Sequence, residues 1–94
     1  MKWIEVIQLR SVNCDRESLK TELQKLVNEV EKEKKKQAIK IYNRALLSTD
    51  FCIQIVHDSN NAENYGSPLG LRLVSALKDF GLVNHSIWIE MPDK

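Results

Sequence analysis

The segment from Gly66 to Met91 limits the possible folds of this chain more than any other. Gly66-Ser67-Pro68 opens an apolar-periodic run that stops at Phe80-Gly81, and Leu82 to Met91 then alternates. A serine oxygen can accept from the free N–H groups of a helix's first turn, so Ser67 is suited to cap one. Pro68 suits the first helical position, and Gly81 suits a left-handed residue past the helix end. The spacing predicts a helix that buries Leu69, Leu73, Ala76, Leu77 and Phe80, with Leu71 and Val74 widening its apolar surface. Gly70, in the first turn, costs about 1 kcal/mol relative to alanine. Close approach of another backbone or a ligand would explain it. In the closing strand Val83, His85, Ile87 and Ile89 share one face, and Asn84, Ser86, Trp88 and Glu90 the other.

The first strand alternates differently. Trp3, Glu5, Ile7 and Leu9 form one face, and Ile4, Val6, Gln8 and Arg10 the other. Both are substantially apolar, which fits a strand covered on two sides. Asn13 to Asp15 breaks the pattern, and Asp15 is a suitable helix cap. Leu19, Leu23, Leu26, Val27 and Val30 then recur at helical spacing among Glu, Lys and Gln. This helix is expected to run into the basic stretch Lys32 to Lys36, whose lysines offset the negative end of the helix dipole.

Ala38 to Leu46 supports two readings. Ala38, Tyr42 and Ala45 suit a continued helix, whereas Ile39 and Ile41 alternate as in a strand. A turn at Ser48-Thr49-Asp50 before the alternating run Phe51 to His57 favours a hairpin. In that run Phe51, Ile53, Ile55 and His57 face one way, and Cys52, Gln54 and Val56 the other. Asp58 to Tyr65, with Asn60-Asn61, reads as a polar loop.

The element order is therefore β-α-β-β-α-β, an α+β chain of ferredoxin-like type with two helices on one face of a four-stranded antiparallel sheet. Ninety-four residues make one domain, and a chain this short buries only about two-thirds of its unfolded surface. Cys52, Val56, Trp88 and half of the first strand then need cover on the other face. A second copy is the simplest cover, so a homodimer is expected.

Fourteen Lys and Arg against thirteen Asp and Glu leave a formal charge of +1. That balance gives no general pull towards nucleic acid or anionic membrane. The lysine run could hold phosphate, but without interleaved aromatics it does not read as a nucleic-acid site. No apolar run approaches the roughly 20 residues of a membrane span. The N-terminus also lacks the apolar centre of a secretory signal, so a cytoplasmic protein is expected. Cys14 and Cys52 are then expected to be reduced thiols. They would fall at the same end of the sheet if the first and third strands are antiparallel, which leaves a redox role open.

Asp50 to Ile55, Gly66 to Leu73 and Phe80 to Trp88, in this element order, resemble the dimeric α+β-barrel superfamily, which includes the antibiotic-biosynthesis-monooxygenase-like proteins. The resemblance implies two sheets packed face to face and a cavity in each subunit between sheet and helices. Members include cofactor-free oxygenases of aromatic substrates, haem-degrading enzymes and proteins of no known activity. The haem-degrading members rely on an Asn, a Trp and a His. Here Glu5 stands in the first strand where the Asn is expected, and His85 and Trp88 point to opposite faces.

Among candidate residues, His57 ends the third strand next to Asp58. Adjacent strand residues face opposite sides, so the two are not a pair by position. His57 is either a general base or a strand-end histidine. His85 is either a functional histidine entering the helix-facing cavity or a satisfied core group. Tyr42 would make an aromatic wall for a ligand, and Arg72 would meet an anion held at the start of the second helix. Two histidines without matching Cys or carboxylate ligands do not read as a metal site. No Walker loop, dinucleotide fingerprint or nucleophile–base–orienter triad is present, and no cofactor is called for. Three function classes follow. They are a small-molecule binding or structural module, a cofactor-independent oxygenase of a small aromatic or otherwise oxidisable substrate, and a protein-interaction adaptor using Leu71 and Val74.

Overall fold

The computed structural model describes residues 2–12, 16–32, 38–59 and 61–91. Its elements are β1 (Lys2–Ser11), α1 (Arg16–Lys32), β2 (Ala38–Arg44), β3 (Leu47–Asp58), α2 (Pro68–Leu77) and β4 (Gly81–Ile89). A single 3-10 turn, Lys78–Phe80, joins α2 to β4. The strands lie in the order β2-β3-β1-β4 and every neighbouring pair is antiparallel. This is an α+β arrangement consistent with a ferredoxin-like fold. Cys14, the expected cap Asp15, residues 33–36 of the basic run and Asn60 lie outside the described residues, as do the side chains of Val27 and Val30.

One face of the sheet carries the core. Leu19, Leu23 and Leu26 of α1 and Leu69, Leu73 and Leu77 of α2 pack in one cluster with Ile7, Leu9, Phe51, Ile53 and Ile55. Both helices therefore cover the same side. Each such fully buried aliphatic side chain contributes about 2 kcal/mol. The opposite face holds Ile4, Val6, Cys52 and Val56 half-buried, and Trp88 is 60% exposed. Within the described chain β1 is thus covered on one side, not on both.

The hairpin reading of residues 38–46 holds, but its turn lies earlier than expected. Ala45 and Leu46 make the turn, and Leu46 takes a left-handed φ of 69° with its side chain in solvent. Thr49 and Asp50 instead belong to β3, where the pairing with β2 jumps from Asn43↔Phe51 to Arg44↔Leu47. Asp50 stays in the strand opposite Arg10 of β1, where Arg10 and Arg44 both reach its carboxylate, at 3.7 and 3.3 Å.

Ser67 caps α2 as expected, its Oγ accepting from Gly70 N–H at 3.0 Å, with Pro68 in the first turn. The other end differs. The α-helix stops at Leu77, and Phe80 C=O accepts from Val12 N–H at 3.0 Å. Gly81, at φ 158° and ψ −153°, is outside the left-handed helical region. Its lack of a side chain serves a close approach instead: a Cβ there would lie 2.0 Å from the Arg10 carbonyl oxygen. Among the described residues no helix is long and apolar enough to cross a membrane.

Candidate functional site

At one end of the covered face the apolar core gives way to a buried carboxylate. Glu5 of β1 pairs with Ile55 on β3 and Ile87 on β4. His57 and His85 are its diagonal neighbours on those strands, within reach of long side chains on the same face. His57 Nε2 lies 2.7 Å from Glu5 Oε1, and His85 Nε2 lies 2.8 Å from Oε2. The first turn of α2 closes the cluster from above. Ser67 donates to Oε1 through its backbone N–H at 3.2 Å and also through its hydroxyl. The same hydroxyl accepts from Gly70 N–H, so its donor and an acceptor position are both engaged.

Two glycines make room for this contact. A Cβ on Gly70 would lie 1.8 Å from Glu5 Oε2, and one on Gly66 would lie 2.4 Å from His85 Cε1. Gly70 therefore serves close approach, as its cost suggested, but the approaching group is a side-chain carboxylate. Gly66 also adopts a φ of 110°, which side-chain-bearing residues rarely adopt. Trp3 stacks on His57 with ring centroids 4.0 Å apart and 18° between planes. Its indole N–H donates to Ser59 Oγ at 2.9 Å.

Burial alone would push the Glu5 carboxyl upward. The Ser67 hydroxyl, the His85 and His57 rings and the Ser67 N–H overcome it and hold the group below its ordinary range. An ionised carboxylate only accepts, so both imidazoles present an Nε2–H to it. Among the described residues no buried side-chain nitrogen or oxygen lacks a partner. Glutamate and two histidines are also metal-ligand types. Here, however, both Nε2 atoms are hydrogen-bonded to the carboxylate, and no described group of three such side chains is arranged to hold a metal ion.

The other expected site residues do not converge on this point. Tyr42 pairs with Cys52, Cys52 with Gln8 and Gln8 with Asn84, a row on the open face away from His85. Arg72 is exposed on α2, in the helix layer. Asp58 faces away from His57, as alternation requires. Cys52, Val56 and Trp88 do share the open face, with Val56, Ile4 and Trp88 in one cross-strand row. Burial pushes the Cys52 thiol upward. On α2, Leu71 is half exposed and Val74 is partly buried against the core.

A concavity of about 510 Å³ opens on that same face, lined by Gln8, Arg10, Arg44, Asp50, Leu82 and Asn84 among others. It is on the opposite side of the sheet from the cavity implied by the resemblance. At the level of Glu5 the space between sheet and α2 is filled by the carboxylate and its partners.

Glu5 is the residue that sequence reading missed, noted only as standing in place of an asparagine. The signal was present. Glu5 interrupts an apolar helix-facing pattern, and both histidines of the chain fall in phase on that face. No family model, no curated protein and no solved structure matches the chain.

Proposed function

We propose that the protein is a homodimeric small-molecule-binding module, with two copies packed open sheet face to open sheet face as in the dimeric α+β-barrel superfamily. The half-covered sheet carries this reading. Ile4, Val6, Val56 and Trp88 adjoin on a face that α1 and α2 leave open. Apolar surface left in water on a domain this small is a large share of what it could bury. A second copy suits the face because it carries Arg10, Arg44 and Asp50 together. A two-fold axis can then set unlike charges beside one another.

The concavity lies at the polar end of the same face. Its amides and arginines would orient a small polar ligand, and Leu82 would cover an apolar part. Packing the second sheet over it would enclose the ligand.

Sedimentation equilibrium tests the assembly, and a native mass spectrum of gently purified protein tests the ligand. A dimer is expected, and Val56→Asp should convert it to a monomer with an unchanged circular dichroism spectrum. A wild-type protein that stays monomeric at micromolar concentration overturns the reading.

A further inference from the structure

The dimer reading makes no use of the Glu5 cluster, and one of that cluster's members meets solvent. The Glu5 side chain is 0% exposed, that of His57 5% and that of His85 15%. His85 spends Nε2 on Glu5. No described residue bonds its Nδ1, and among the described residues no buried side-chain nitrogen is left without a partner, so Nδ1 is in contact with solvent.

We infer that Glu5 and His85 form a general-base dyad, in which His85 Nδ1 takes a proton from a small carbon or oxygen acid and Glu5 is the positioning residue. The carboxylate accepts the Nε2–H, so the neutral ring carries its lone pair on Nδ1, pointed away from the protein's own bonds. Ser67, through hydroxyl and N–H, and His57 hold the carboxylate in place. Gly66 packs so closely on the imidazole that a Cβ there would strike Cε1. The base is therefore fixed before a substrate arrives.

The step moves one proton and no electrons. The acid's X–H bond breaks with its electron pair left on X, and the proton joins Nδ1. The dyad passes from a carboxylate with a neutral ring to a carboxylate–imidazolium pair. Return of the proton to the same or another atom of the substrate restores the base, and no co-reactant is needed. His57 cannot substitute, because its ring is buried under Trp3. Ser67 is not placed for acyl transfer, since its hydroxyl proton is committed to Glu5. His85 lies on β4, an edge strand of the sheet, and its side chain is 15% exposed.

Long-range proton–nitrogen correlation spectra of the 15N-labelled full chain test the dyad without any substrate. The neutral ring of His85 is expected as the Nε2–H tautomer, with Nδ1 unprotonated. Diethyl pyrocarbonate supplies the second measurement: Nδ1 attacks a carbonyl carbon and ethyl carbonate leaves. Peptide mapping should show His85 modified at least about tenfold faster than His57, which must open locally to react. Glu5→Gln should return His85 to a mixture of tautomers. An Nδ1–H tautomer in the wild type, or equal modification of the two histidines, overturns the inference. If Glu5→Gln does not fold, both wild-type measurements still decide it, and neither depends on the oligomeric state.

Discussion

The two ends of the covered sheet face are held together by different physics. Towards Ser11, Leu9, Phe51, Leu73 and Leu77 bury hydrocarbon against hydrocarbon. Towards Lys2, one carboxylate gathers two imidazoles, a hydroxyl and a backbone N–H. The first end is non-directional and accepts a swap of similar volume for less than about 1.5 kcal/mol. The second is directional and has no slack, because each partner satisfies a group that has no water to turn to. The same helix spans both, so α2 is placed along the sheet by its polar end and pressed onto it by its apolar end.

The largest expected effect breaks the polar end. Glu5→Gln should cost about 3 to 5 kcal/mol in urea unfolding, since it leaves the buried His57 and the partly buried His85 facing a neutral amide. It should also carry a pH signature. The folded carboxyl titrates below its ordinary value of 4.5. Its contribution is thus complete above 4.5 and is lost as pH falls through the lower folded value. The wild type should lose stability in this acid range faster than Glu5→Gln does. Leu77→Ala, at the apolar end, should cost about 3 kcal/mol with no such acid dependence. Equal pH profiles for the two variants would erase the distinction.

Gly70→Ala sharpens it further. Replacing a helical glycine by alanine ordinarily gains about 1 kcal/mol. Here the new Cβ would lie 1.8 Å from Glu5 Oε2, so a loss of about 2 kcal/mol is expected. With Glu5→Ala in the background, the same change should become stabilising, and a double-mutant cycle reads the coupling directly. Ser67→Ala should have the smallest effect, about 1 kcal/mol by thermal unfolding, from the lost cap and the lost bond to Glu5.

Local chemistry made much of this fold legible. The Ser67 cap, the existence of the hairpin and the facing of residues in the alternating runs of β1, β3 and β4 follow from neighbours in sequence, where alternation and capping rules operate. Features set by register did not. Glu5 meets His57 and His85 only because β1 lies between β3 and β4, and alternation says nothing of which strands adjoin. Asp50 resembles a turn residue until Arg10 and Arg44 are placed beside it. Gly81 resembles a helix stop until the Arg10 carbonyl is seen against it. In each case the deciding partner is at least six residues away in the chain.

The central position of β1 also bears on how the chain is made. β1 is synthesised before both of the strands that flank it, and the partners of Glu5 are residues 57, 67 and 85. No earlier stretch can substitute for them. The carboxylate must stay hydrated until β3 arrives, and its last partner joins only once β4 has been synthesised. Such distant pairings slow folding. Closure of the polar cluster is thus tied to the arrival of β4, and a chain truncated before β4 would expose both an unmatched strand edge and a half-satisfied charge.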